Sequence, residues 1–272
     1  MKIPNYVKKV QELEYPSNIK REDCIIIPET TIIITKFEPD GFKGLNWEKT
    51  HRFVYENGLE VPTPKLFMPY TVKVRDAYKG RIQLYDGNGE QIGKEETKDI
   101  YFHQTTNHIN GGAWSHLNAR FVRGSGFNNL DLETVIGIEN GKLITGREPL
   151  VKCLMQDCYA KLIFNKQGLA VKKSRIQEYK QGKNIKFYTP IENAVTWCWA
   201  DSGRVGLDCV RDPGGSDSAL GVFVSAEGTP KNLEEKLYSR TQIENAVRDY
   251  MDKNLNVTKI SNHIIKSLEG KK

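Results

Sequence analysis

Asn193–Ser225, NAVTWCWADSGRVGLDCVRDPGGSDSALGVFVS, is the stretch whose reading decides the fold. From Arg204 to Asp212 it alternates with a period of two: Val205, Leu207 and Cys209 fall on one side, and Arg204, Gly206, Asp208, Val210 and Asp212 on the other. Successive side chains of a β-strand point to opposite faces, so this pattern predicts a strand with one packable face. The second face has no chemical theme, and glycine is a poor strand residue. A solvated strand face accounts for it; so does a face chosen for recognition rather than stability. Just upstream, Trp197 and Trp199 share one side of a preceding strand. Such a pair serves either a core or a binding surface.

Outward from this stretch, helix and turn signals alternate with β-branched runs. Tyr6, Val7, Val10 and Leu13 predict a short helix ending near Pro16. Cys24–Ile27 and Thr31–Thr35 read as a strand bent at Pro28. Asn46 caps a predicted helix through Asn57, with Gly58 as its stop. Thr63-Pro64 starts a second helix reaching to about Gly80, with Pro69 inside it. Arg81–Ile92 reads as a hairpin around Asp86-Gly87-Asn88-Gly89, and Lys98–His116 as a long surface loop. Glu139-Asn140-Gly141 is the strongest hairpin signal in the chain. Leu150–Leu162 suits a helix or turn, and Ile185–Tyr188 a short strand. After Gly228, Thr229-Pro230 opens a charged segment with Ile243, Val247, Tyr250, Met251, Ile260, Ile264 and Leu268 at helical intervals, so 229–272 reads as a helical appendage to a 1–228 body.

The length of 272 residues suits one large domain with an appendage, and the net charge of +6 is spread among interleaved acids and bases. That modest excess permits nucleic-acid contact without arguing for it, and nucleic acid is not the expected partner. The N-terminus lacks a signal-peptide pattern, and no apolar run is long enough for a bilayer. The expected location is therefore the cytoplasm or a virus particle, without membrane insertion. The five cysteines contain no CxxC pair, and buried free thiols are the expectation, with a Cys198–Cys209 disulfide across neighbouring strands as the alternative.

Several residues invite chemistry and also have plainer readings. His103, His108 and His116 lack metal-ligand spacing and read as solvated or hydrogen-bonding histidines. Asp131 and Glu133 suggest paired carboxylates, yet a polar strand face opposite Leu130 and Leu132 gives the same pattern. Gly124-Ser125-Gly126-Phe127 is a turn without the lysine or spacing of a phosphate loop. No catalytic residue, cofactor or metal is assigned from these.

The stretch from Asn193 resembles the C-terminal part of variable proteins of diversity-generating retroelements, particularly archaeal ones, which have a C-type lectin fold. The pattern is met by Asn193, Val195, Ala200, Ser202, Val205, Leu207, Cys209, Arg211, Pro213, Ser216, Ser218, Leu220, Gly221 and Val222. The likeness extends over Trp114–Leu150 and Phe164–Tyr188; Cys198 departs from it, standing where an aromatic is usual. In such proteins adenine-directed mutagenesis, commonly of AAY codons, diversifies chosen surface positions and spares the scaffold. The resemblance implies an α+β, C-type lectin-like body with two helices and twisted antiparallel sheets. It implies variable, ligand-binding positions at Trp199, Asp201, Gly203, Arg204, Gly206, Asp208, Val210, Asp212, Gly214, Gly215, Asp217 and Ala219. Tryptophan is not reachable from AAY by adenine changes, so Trp199 is expected to be fixed or differently templated. The expected function is recognition of a macromolecular ligand, a protein, with Trp199 and Arg204 as anchors. Two other readings use the same fold: a formylglycine-generating-enzyme-like or sulfoxide-synthase-like metal or thiol enzyme, and a binding domain that is not diversified.

Overall fold

The computed structural model of the chain describes residues 3–16, 18–106, 113–216 and 220–230. The chain divides into two units, Met1–Pro230 and Lys231–Lys272. The helical appendage expected over 229–272 lies, beyond Pro230, outside the described residues, as do His108, Asp217 and Ala219.

The first unit is an α+β body whose described residues include four α-helices and mostly antiparallel sheets. Helix α1 (Asn5–Gln11) buries Val7 and Val10. Helix α2 (Trp47–Glu56) starts where the sequence places its cap: the Asn46 side chain accepts from the Lys49 amide, satisfying one of the orphan donors of the first turn. Helix α3 (Pro64–Tyr78) is capped the same way by Thr63, with Pro64 in its first turn and Pro69 inside it. Helix α4 (Lys94–Thr105) replaces part of the surface loop expected over Lys98–His116. Its buried residues, Thr97, Ile100, Tyr101 and Gln104, do fall at helical spacing. Two of the four are polar, so hydrophobic periodicity could not reveal them.

The strands are β1 (Leu13–Glu14), β2 (Cys24–Ile26), β3 (Ile32–Thr35), β4 (Ala113–Arg123), β5 (Leu130–Glu139), β6 (Lys142–Pro149), β7 (Cys158–Lys161), β8 (Asn184–Tyr188), β9 (Val195–Asp201), β10 (Arg204–Arg211), β11 (Leu220–Gly221), β12 (Ser225–Glu227) and β13 (Thr229–Pro230). The run bent at Pro28 is thus a hairpin, β2 against β3, with β12 on the other edge of β3. Ile25 and Ile34 face one core cluster and Ile26 and Ile33 another, so both faces are buried and the sequence is continuously apolar. Within Leu150–Leu162 the regular element is the strand β7 rather than a helix. Thr229-Pro230, expected to open a helix, instead pairs with β1, Leu13 opposite Pro230.

The main sheet has the order β6-β5-β4-β9-β10-β8-β7, with β11 beside the start of β4. All its pairs are antiparallel except β10–β8 and β11–β4. Asn140 and Gly141 both have positive φ, as the two-residue turn between β5 and β6 requires. On the inner face Leu117, Phe187, Cys198, Ala200, Val205, Leu207 and Cys209 join residues of α3 and α4 in the principal core. Val205, Leu207 and Cys209 occupy the packed face that the alternation assigns to them. On the outer face, α2 covers one part of the sheet: Trp47 packs with Val135, Val195 and Trp197, and its indole N–H donates to the Leu117 carbonyl at 3.1 Å.

Candidate functional site

Strand register brings the outer-face residues of five strands into one row. Tyr159 of β7 lies opposite Lys186 of β8, Lys186 opposite Gly206 of β10, Gly206 opposite Trp199 of β9, and Trp199 opposite Trp114 of β4. At about 4.8 Å per strand the row is about 19 Å long. The neighbouring row on the same face holds Tyr188, Asp208, Trp197 and His116. All members of the first row except Gly206 are half-buried, so the face is neither core nor freely solvated.

Gly206 has a steric reason to be bare. A Cβ at this position would sit 2.3 Å from the Trp199 indole, which lies across it. Trp199 stacks in turn on Trp114, with ring centroids 6.1 Å apart and planes inclined by 27°. Its indole N–H is buried without a hydrogen-bond partner, as is that of Trp197. Lys186 places its Nζ 5.3 Å from the centroids of both Tyr159 and Tyr188, within cation–π range.

Asp208 departs from the sequence reading. It is 1 % exposed, its carboxylate held by Arg211 Nε at 2.6 Å and by the Val210 amide at 3.1 Å. The Arg211 guanidinium lies 5.0 Å from the Trp114 ring and 5.2 Å from Trp197, bracketed by both indoles. A β-bulge causes this arrangement. Between Asp208 and Arg211 the register of β10 against β9 shifts by one residue, which returns Arg211 to the face of Asp208. Strict alternation, which puts Val210 and Asp212 in line with Asp208, ends at that bulge.

The positions expected to form one open patch therefore separate. Asp201, Gly203 and Arg204 form the β9–β10 turn, with Ser202 and Gly203 at positive φ and Arg204 exposed. Asp212, Gly214 and Gly215 form a second turn at the far end of β10, about 25 Å away by strand rise. There the Asp212 side chain accepts from the Gly214 amide, and Pro213 accepts from the first amide of α2. Asp212 and Gly214 are exposed, Val210 and Gly215 half-buried, and Gly206 and Asp208 buried between the two turns. Trp199, Trp114, Lys186 and Arg211 span the gap. Of these only Trp199 belongs to the expected set. Trp114 and Lys186 carry a signal of their own, since each sits in an alternating strand opposite buried neighbours, but which strands they lie beside is not a local property.

Other singled-out residues have structural roles. Glu133 is buried and bonded to Arg147 at 2.7 Å, and Asp131 accepts from the Ser125 and Gly126 amides. His116 bonds the Leu45 carbonyl from one ring nitrogen. His103 Nε2 lies 2.6 Å from Glu38, which also accepts from Ser115 Oγ at 2.8 Å. Burial alone raises the pKa of Glu38, but these hydrogen bonds and the His103 charge outweigh it and hold the carboxyl below its usual range. The hydroxyl thus serves the carboxylate and not an imidazole base, unlike a nucleophile–base pair. Cys198 and Cys209 are buried free thiols; burial pushes Cys198 up to about 12 and Cys209 well above the ordinary range. Among the described residues no three histidine, cysteine or acidic side chains gather as a metal site, and no helix is long and apolar enough to cross a membrane.

Comparison with protein-family models, curated proteins and solved structures finds no match to this chain.

Proposed function

We propose that this chain is the variable protein of a diversity-generating retroelement, built on a C-type lectin-like scaffold, and that it binds a protein ligand through the outer face and ends of β9 and β10. The observation that carries the reading is the division of labour along β10. Val205, Leu207 and Cys209 hold the core, whereas exposed residues cluster in the turns at its two ends, where substitution costs little stability. Between the turns, Trp199 stacked on Trp114, with Lys186 and Arg211 beside them, supplies a rigid aromatic and cationic surface of the kind that anchors protein contacts. A contact covering both turns and this bridge suits roughly 800 Å² per partner.

Two positions leave the expected diversified set on physical grounds. Any side chain at Gly206 collides with Trp199, and Asp208 is the buried partner of Arg211. Variation is therefore expected at the remaining positions of the set, most freely at the exposed Arg204, Asp212 and Gly214, with Gly203 restrained by its positive φ and Trp199 retained as an anchor.

Sequencing the gene and its flanks across a natural population tests this. The expected result is a nearby template repeat beside a reverse transcriptase gene, with differences confined to adenine positions and concentrated in the codons of the two turns. Uniform codons there, or changes spread equally over Val205, Leu207 and Cys209, would refute it.

A further inference from the structure

The interleaving of acids and bases fails in one stretch. Between Cys158 and Ile191 stand eight of the 40 lysines and arginines but one of the 34 acids, a surplus of seven that exceeds the chain's net +6. The fold gathers six of these cations around one buried residue. Asn184, 1 % exposed at the start of β8, accepts from the Lys180 amide at 2.7 Å and donates to the carbonyls of Ile176 and Glu178, which ties the loop 174–180 to the sheet. Across the sheet it pairs with Lys161 of β7, whose own amide donates to the Lys172 carbonyl on the far side. Lys161, Lys172, Lys173, Arg175, Lys180 and Lys183 are therefore each within one residue of Asn184, of its cross-strand partner or of a group bonded to either. Three chain segments about 4.8 Å apart make the patch about 10 Å wide, so its charges lie within about one Debye length of each other at physiological salt.

All six are exposed except Lys161, which is half-buried. Glu178 holds Lys180 at 2.7 Å, and the other five form no ion pair with a described residue. The acids flanking the stretch are engaged elsewhere, Asp157 by the Thr189 amide and Glu192 by Arg123. Gathered charge of one sign repels itself and destabilises the compact state, so a surface left in this condition suits an anionic partner. Aliphatic side chains stand exposed among the cations: Ile163 by 47 %, Val171 by 38 % and Ile176 by 36 %. The Val171 amide donates to the Ile163 carbonyl, which sets those two residues side by side. The aromatic rings of the stretch are not open in the same way. Tyr159, Tyr179 and Tyr188 are half-buried, and Lys186 stands over the rings of Tyr159 and Tyr188.

We propose that this patch docks on an anionic lipid bilayer, its cations against the headgroups and Ile163, Val171 and Ile176 against the acyl boundary. Five of the six cations are lysines, point charges that meet headgroup phosphates and carboxylates without arginine's bidentate fork. A single nucleic-acid strand stacks its bases on open aromatic faces, which this surface lacks, whereas aliphatic side chains among lysines complement the interface of a bilayer. Such contact is made from outside and needs no membrane-crossing helix. None of the six cations belongs to the surface assigned to protein recognition, so the inference does not depend on the function proposed above.

The test is co-sedimentation of the full chain with phosphatidylcholine vesicles, with and without phosphatidylserine, at about 0.1 M salt. Binding is expected only to the phosphatidylserine vesicles and should be lost as salt rises. Each cation at such a surface is worth about fivefold in affinity, so Lys172→Gln/Lys173→Gln/Arg175→Gln should bind about a hundredfold more weakly. Lys8→Gln/Lys9→Gln/Lys49→Gln removes the same charge from exposed positions of α1 and α2 and should bind as wild type does. Ile163→Ser/Ile176→Ser keeps every charge and should lose about tenfold. No binding to phosphatidylserine vesicles, equal binding to neutral ones, or equal losses in the two charge variants would overturn the proposal. So would displacement of the vesicles by inorganic phosphate, which would mark a site for a free anion, or by an RNA or DNA oligonucleotide, which would assign the patch to nucleic acid.

Discussion

Replacing Arg211 by alanine is the sharpest test of which β10 residues are structural. Arg211 neutralises Asp208, whose side chain is 2 % exposed, through a 2.6 Å contact, and it stacks beside two indoles. Removing it strands a buried carboxylate, a change that costs about 3–5 kcal/mol for fully buried pairs. The Arg211 side chain is itself 37 % exposed, so water entering the vacated space brings the cost to the low end of that range. The two cation–π contacts add about 1 kcal/mol together, for a total of about 3–4 kcal/mol. In a domain of this size that lowers the melting temperature by about 10 °C. Arg204→Ala, on the same strand but exposed, is expected to stay within about 0.5 kcal/mol of wild type. Urea unfolding followed by tryptophan fluorescence reads both. Repeating Arg211→Ala in an Asp208→Asn background isolates the pair, and the second loss should be smaller by at least about 1.5 kcal/mol. If Arg211→Ala costs no more than Arg204→Ala, Asp208 is not the enclosed ion described and β10 is free to vary along its length.

Further outcomes follow from single contacts. Gly206→Val should expel the Trp199 ring from its seat, shifting tryptophan emission to the red and destabilising the fold by at least about 1 kcal/mol; an unchanged spectrum would show that the indole does not lie over Gly206. His51 is held neutral, with its pKa lowered to about 3, first by burial and then by His116. Between pH 6.5 and 3 the unfolded chain takes up a proton that the folded one refuses, so stability falls by up to about 1.4 kcal/mol per unit as pH drops through that window. His51→Phe should flatten that part of the stability–pH curve, and parallel curves would count against the burial argument. Asn118→Ala leaves the Val135 N–H and carbonyl without their partners and should cost about 2–3 kcal/mol by denaturant titration. The five cysteines are buried, and burial raises the pKa of Cys24 and Cys198 to about 12 and of Cys153 to about 11, so an aromatic disulfide reagent at pH 8 should label them only after denaturation.

Much of the scaffold is legible locally. The Asn46 and Thr63-Pro64 caps give the starts of α2 and α3 because a capping side chain acts on amides two or three residues away. The Asn140-Gly141 turn is legible because positive φ at two successive positions needs those residue types. Helix α4 is hidden for the opposite reason: Gln104 is buried by bonding Tyr70 of another helix, a contact that hydropathy does not record. Strand β13 is hidden because its partner β1 lies over two hundred positions earlier in the chain.

The candidate site divides along the same line. Alternation alone determined that Val205, Leu207 and Cys209 face inward, since a strand has two faces and only one of these suits a core. Tertiary structure decided what the other face does. The bulge turns Arg211 toward Asp208, and the neighbouring strands set Trp199 over Gly206 and Trp114 beside Trp199. Whether an outward side chain meets water or another residue depends on strands and helices far away in sequence, which is why an aspartate read as exposed proved to be enclosed.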